Sequence, residues 1–294
     1  MSATARHQSL MDIHPRELKR FVTDLPTLPV VFQELFSRMQ DPDAKISELA
    51  EVIARDQALT IKILKLVNSA FYGRSAQIST ISRAVIIMGF QAVRSAALAV
   101  SVLERFKDLE TDGAFSLTEF WRHSIGVSCL AKQAAIVLHV SVPEDAFVAG
   151  LLHDVGKLVM LQHFPDDVND LTRAAAEQRL TWRACEEMLF PIQHDTIGRA
   201  LFRAWDFPEA VIEAVACHHT PTASSRYAEL TALVHLADFF SYHMDCGCPG
   251  SAPARTHCQD AARLVALTPD SANEVLQRAR DEFAESLELL KLLD

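Results

Sequence analysis

The sequence predicts an all-α fold, two packed helical subdomains in one chain, and three observations carry that prediction. Glycine is scarce, at 9 of 294 residues, and only three tyrosines are present. Ala, Leu, Glu and Arg dominate, the residues that lose least rotamer freedom on entering a helix. Apolar residues recur at i+3 and i+4 through most of the chain, while runs of β-branched residues stay short.

The elements follow in order. Residues 1–20 are polar and irregular and are expected to be a loosely ordered N-terminus. LPTLP at 25–29 precedes a helical stretch over 30–39, which Asp41-Pro42 closes because the residue before proline is pushed out of helical angles. Ser47-Glu48-Leu49 opens a helix with Ile46, Leu49 and Ile53 on one face, and a break at Asp56-Gln57 leads into another carrying Leu59, Ile63 and Leu66. A helix pair covers 81–88 and 91–106, with Gly89 at the junction, where a helix end often needs a left-handed residue. The charged stretch KDLETDGAF at 107–115 marks a boundary near residue 110, dividing a subdomain at 21–110 from one at 111–294. Helices are expected near 117–139, 143–154, 166–178, 181–189, 194–204, 208–217 and 226–243. An exposed loop is expected at 245–257, followed by a final helix whose stripe runs Leu276, Ala279, Phe283, Leu287 and Leu290.

Charge and hydropathy exclude several functions. The formal net charge is -10 and no block of Lys and Arg occurs, so the counterion release that drives nucleic-acid binding has no evident source. No apolar run approaches the roughly 18–20 residues that cross a bilayer; the longest, at 96–103, ends in Glu104-Arg105. The N-terminus lacks the apolar core of a signal peptide. Six cysteines without a small secreted-domain context read as reduced thiols, and the expectation is a cytoplasmic protein that contacts neither membrane nor nucleic acid.

The chemistry concentrates in AGLLHDVGK at 149–157, where an apolar helix ends in His153-Asp154 and then Gly156-Lys157. A neutral imidazole beside a carboxylate suits a first-row metal, and Asp can bridge two ions. A His-Asp pair can equally cap a helix end. The pair has company: His123 lies on a core-like helix, His194 opens HDTIGRAL, His218-His219 ends EAVIEAVACHH, and Asp238 sits in the apolar LTALVHLADFF. Buried polar side chains need partners, and a shared ion satisfies all of these at once. His235, one turn before Asp238, is a candidate to orient it. Glu119 shares a helical face with His123 and reads as a solvated surface charge or an additional ligand. His243, Cys246, Cys248, His257 and Cys258 fit no standard zinc spacing, and Cys129, Cys185 and Cys217 read as small core residues. Arg94, on an apolar helix, calls for a buried carboxylate or a helix C-terminus.

This order of His, His-Asp, His, His-His and Asp resembles the HD superfamily of metal-dependent phosphohydrolases, and more closely its HD-GYP branch, which hydrolyses cyclic di-GMP. The resemblance implies ligand roles for His123, His153, Asp154, His194, His218, His219 and Asp238, two divalent ions (Fe, Mn or Zn) sharing Asp154, and a phosphate contact for Lys157; in an enzyme, Asp154 and Lys157 would be catalytic. The chain departs from that branch at HHTPTASSRYAEL, where Thr220 stands in the place of a Glu and no Gly-Tyr-Pro loop follows. LPTLP, RDQALTIKILKLVNSAFYG at 55–73 and ISTISRAVIIMGFQAVRSAAL at 78–98 are similar to the signature stretches of HDOD domains, over about 20–220. HDOD proteins are bacterial signalling modules, many acting by binding. The resemblance therefore implies a regulatory protein with a signalling-protein partner or a nucleotide ligand, and a homodimer as one assembly; a metal-dependent phosphohydrolase is the alternative. Within the signature, Asn68-Ser69 and Tyr72-Gly73 either line a polar pocket or simply end a helix and turn the chain.

Overall fold

A computed structural model describes residues 9–12, 34–35, 38, 46–68, 78–109, 111, 113–246 and 258–287. The LPTLP segment, most of the 30–39 helix, Ser69, Phe71, Tyr72, Gly73, Cys248, His257 and Leu290 lie outside these residues. Among the described residues all regular structure is helical.

The N-terminal helices are α1 (Ile46–Ala54), α2 (Gln57–Val67), α3 (Ile81–Met88) and α4 (Phe90–Phe106). The Asp56 carboxylate caps α2 by accepting the Leu59 N–H at 3.0 Å, which explains the break read there. Thr80 caps α3 in the same way through the Arg83 N–H. Gly89 takes φ +85°, outside the range a side chain tolerates well, and so turns α3 into α4. Asn68 ends α2: its amide nitrogen donates to Leu64 O and Ile78 O, and its oxygen accepts the Ile78 N–H at 2.7 Å. Its polar atoms are thus committed to closing the helix end.

The central helix is α5 (Leu117–Leu138), capped by Ser116 and buried along most of its length. Against it pack α6 (Pro143–Leu152), and, further along the chain, α12 (Ala228–Ser241) and α14 (Pro269–Ser286). Between them run α7 (Val155–His163), α8 (Pro165–Gln178), α9 (Trp182–Leu189), α10 (His194–Ala204) and α11 (Glu209–Cys217), with the short α13 (Gln259–Leu264) before α14. The N-terminal helices join this body where α4 lies on α6. There Arg94 Nη2 donates to Asp145 Oδ1 at 2.8 Å and Arg105 Nη2 to Gln162 Oε1 at 3.2 Å. Arg94 thus meets a carboxylate, but one at the N-terminus of α6, where negative charge also complements the helix dipole.

Four expectations need correction. Helix α7 had no counterpart in the sequence reading, because Val155 to Leu161 are buried on every side and show no amphipathic stripe. Helix α13 was missed as well; at six residues it is too short for a periodic signal. Within the N-terminal stretch expected to be loose, Ser9 and Leu10 are held: the Ser9 hydroxyl and Leu10 N–H donate to the two oxygens of Asp167 at 2.9 and 2.7 Å, and the Leu10 side chain is buried. The segment expected to be an exposed loop, 245–257, holds Cys246 as its second residue, and Cys246 is also buried.

Candidate metal centre

All seven candidate ligands converge, and they arrive from five local arrangements. His123 lies on α5. His153 and Asp154 form the sharp turn between α6 and α7. His194 is the first residue of α10, His218 and His219 follow the end of α11, and Asp238 lies on α12. The donor atoms fall into two groups, each spanning less than 4.8 Å: Asp154, His194, His218 and His219 in one, His123, His153 and Asp238 in the other.

Asp154 joins the two groups with one oxygen apiece. Its Oδ1 lies 3.1 Å from His194 Nε2 and 3.7 Å from His218 Nε2. Its Oδ2 lies 3.4 Å from His153 Nε2 and 3.7 Å from His123 Nε2. Asp238 Oδ1 lies 3.4 Å from His123 Nε2, and His219 Nε2 lies 3.1 Å from His194 Nε2. Bonds of about 2.1 Å to a common ion would set its donors about 3–3.4 Å apart.

The other ring nitrogens explain why these imidazoles point inward. His123 Nδ1 donates to Cys246 O, His153 Nδ1 to Gly150 O and His218 Nδ1 to Val215 O, at 2.7–2.8 Å. A carbonyl accepts only, so it holds a proton on Nδ1 and turns Nε2 toward the centre. Gly126, one turn along α5 from His123, makes the first of these bonds reachable: a Cβ there would fall 2.2 Å from Cys246 Sγ.

His194 is held by a residue the sequence reading did not single out. Glu186 on α9 is fully buried; its Oε1 accepts the His194 N–H at 2.9 Å and its Oε2 lies 2.5 Å from His194 Nδ1. The available signal was positional, since Glu186 falls on the same face of α9 as Trp182 and Cys185, which are also buried. Helix α10 approaches α7 so closely that a Cβ on Gly156 would sit 1.9 Å from His194 O.

The residues present fit a divalent cation. His123 Nε2, His153 Nε2 and Asp154 Oδ1 are buried polar atoms without a hydrogen-bond partner, an arrangement that costs free energy unless a cation faces them. His194 Nε2 is near enough to Asp154 Oδ1 for a hydrogen bond but not aligned for one. Burial drives the His123 imidazole down to about 4 against the pull of Asp238, and burial with neighbouring imidazoles holds His218 and His219 well below the ordinary histidine range. These three imidazoles are neutral at neutral pH. Burial also opposes charge on His194 and Asp154, but here neighbours win: Glu186 and Asp154 lift His194 to about 9, while His153 and Lys157 hold the Asp154 carboxyl well below the usual range.

Lys157, to which the resemblance gives a phosphate contact, lies inside the site. Only 3% exposed, its ammonium is paired with Asp154 Oδ2 and sits 4.8 Å from the centre of the Trp182 ring. His235 does not orient Asp238. The Cys258 N–H donates to its Nε2, so its Nδ1 proton goes to His218 O at 2.8 Å, and His235 braces the His218-His219 backbone instead. Glu119 is exposed at the start of α5 beside Arg122 and belongs to neither group. Cys129 and Cys185 are buried core thiols, and Cys217 is half-buried.

The chain resembles several proteins across its length. A crystal structure of an HDOD domain protein of unknown function from Geobacter sulfurreducens is 28% identical, with a TM-score of 0.69 over 94% of this chain and 95% of that one. A candidate phosphohydrolase from Shewanella amazonensis shares the fold, at TM-score 0.74 and 22% identity over 96% of this chain and 99% of that one. An uncharacterised protein of Treponema pallidum (strain Nichols) is 27% identical over 225 residues, 76% of this chain but 43% of that one, so the chain spans less than half of that relative. The HDOD domain profile matches residues 25–221, well over half of the chain, and the chain therefore belongs to the HDOD domain family.

Proposed function

We propose that the chain is a regulatory HDOD module of bacterial signal transduction that holds divalent metal in the His/Asp centre and acts mainly by binding a nucleotide ligand or a protein partner. The observation that carries the metal reading is Asp154, whose two oxygens each face a separate group of histidine Nε2 atoms. A divalent ion of the Fe, Mn or Zn type would supply Lewis-acid polarisation of a phosphate oxygen there. The protein's own groups hold and shield the site: His123, His153, Asp154, His194 and His218 are at most 1% exposed.

Two features favour binding over turnover. The Lys157 ammonium is turned onto Asp154 and Trp182. The chain after His219 supplies no Gly-Tyr-Pro loop, and its 224–227 segment is drawn onto Glu213, whose Oε1 takes the Ser224 hydroxyl and the N–H groups of Ser225, Arg226 and Tyr227. One observation favours a metal-dependent phosphohydrolase instead: His219 and Asp238, one from each group, keep partial exposure, so a phosphoester can reach both halves of the centre.

Metal analysis of purified protein and of Asp154→Ala, with a hydrolysis screen over nucleotides and phosphoesters, separates the readings. The regulatory proposal expects bound metal that Asp154→Ala removes, without turnover. Turnover that disappears in Asp154→Ala establishes the enzyme. Protein that binds no Fe, Mn or Zn when supplied with them overturns the metal centre in both readings.

A further inference from the structure

We infer that Lys157 fills the second cation position of the centre, so that one divalent ion binds tightly among His194, His218 and His219 while a second is held off from His123, His153 and Asp238. The inference rests on the metal-binding reading above and deepens it, because it assigns the number of ions and the half that fills first.

The two oxygens of Asp154 are not equivalent. Oδ2, which faces His123 and His153, is the oxygen that Lys157 Nζ contacts. Oδ1, which faces His194 and His218, has no hydrogen-bond partner. An ion entering the first half therefore meets an oxygen that no ammonium holds. An ion entering the second must share Oδ2 with an ammonium or displace it.

Displacement is opposed from two directions. The ammonium lies between the carboxylate and the Trp182 ring, and the side chain is almost wholly buried. A cation lifted from such a pair has no water to receive it, which makes breaking a buried pair far costlier than breaking one at the surface. The Trp182 ring also packs edge-on to His194 at 5.9 Å between centroids, so the wall that holds the ammonium is the wall of the first half.

Charge balance points the same way. Lys157 already balances part of the charge of Asp154, Glu186 and Asp238 before any ion binds. A second divalent ion would add positive charge that no further carboxylate balances within a largely buried site, where uncompensated charge is expensive. The half-site donors reinforce the order of filling, since His194 has its Nδ1 and N–H on Glu186, whereas the second half relies on the partly exposed Asp238.

The test is a Mn2+ titration of the full chain by equilibrium dialysis, read in parallel by electron paramagnetic resonance, which distinguishes an isolated ion from a coupled pair. Wild type is expected to take one ion, with a second weaker by on the order of a hundredfold, and to show the isolated-ion signal. Lys157→Met, which keeps the stem and removes the charge, is expected to take two with a coupled signal, and adding Asp238→Asn returns it to one. Wild type that binds two ions of equal affinity, or Lys157→Met that still binds one, overturns the inference. Asp238→Asn in the wild-type background keeps the test decisive even if Lys157→Met does not fold: the tight ion is expected to be unaffected, and loss comparable with that of His194→Ala overturns the assignment. Failure of every form to bind Mn2+ overturns the metal-binding reading itself.

Discussion

The Glu186 carboxylate grips His194 at two points, taking the backbone N–H at 2.9 Å with one oxygen and facing the ring Nδ1 at 2.5 Å with the other. Both the position of the α10 N-terminus and the direction of its first side chain depend on this residue. Glu186→Ala is expected to lower metal affinity about 10–100-fold, the usual effect of removing the group that orients a ligand, and Glu186→Gln is expected to fall between, because an amide oxygen still accepts one of the two bonds. Chelator competition measures the affinity, and circular dichroism confirms that the helices persist.

Gly156 sets the distance between α7 and α10. The added methyl of Gly156→Ala would meet the carbonyl of His194, a backbone atom that cannot move without carrying His194 away from Asp154. The expected loss is about 1–3 kcal/mol of stability, typical of overpacking, together with reduced metal content. Urea denaturation and metal analysis on the same preparation check both; a fully stable, fully loaded variant would refute the close-packing account.

The Arg94–Asp145 pair ties α4 to the first turn of α6, the helix that ends at His153. Both side chains are about one-fifth exposed, so screening is incomplete. A double-mutant cycle with Arg94→Ala and Asp145→Ala is expected to give a coupling of about 0.5–1 kcal/mol. A coupling indistinguishable from zero would mean that apolar packing alone joins the two helices.

Glu213 provides a pH dependence. Burial raises its carboxyl, but the Ser224 hydroxyl and the three following N–H groups outweigh burial and hold it below its ordinary value. A depressed folded-state value stabilises the protein above the ordinary carboxylate range, and that stabilisation disappears as pH falls through the folded value. Glu213→Gln is therefore expected to lower the melting temperature at pH 7, with the difference from wild type shrinking as pH drops below about 4.5. Melting curves from pH 7 to pH 3 test this, and a difference that stays constant across the range would contradict it.

The helices and the set of seven candidate ligands were legible in the chain because both depend on local chemistry. Helical periodicity follows from which residues are apolar, and His, Asp and His-His inside apolar helices stand out because burial without a partner is costly. Glu186 did not stand out. Beside it is Glu187, chemically identical, yet Glu187 pairs with Arg183 at the surface and Glu186 is fully buried; a shared face with Trp182 and Cys185 is the one hint in the chain, and the packing of α9 decides between them.

The sequence by itself therefore determined that this protein is helical, that it belongs with HDOD domains, and which side chains could meet an ion. Tertiary structure alone decided how those side chains are used. Asp154 serves two groups because the turn between α6 and α7 brings it between α5, α10, α11 and α12, and Lys157 faces Asp154 because Trp182, from a different helix, closes the other side. Hydrogen bonds from ring nitrogens to the carbonyls of Gly150, Val215 and Cys246 aim the imidazoles, and every residue has a carbonyl, so no residue type in the chain marks the ones that are used.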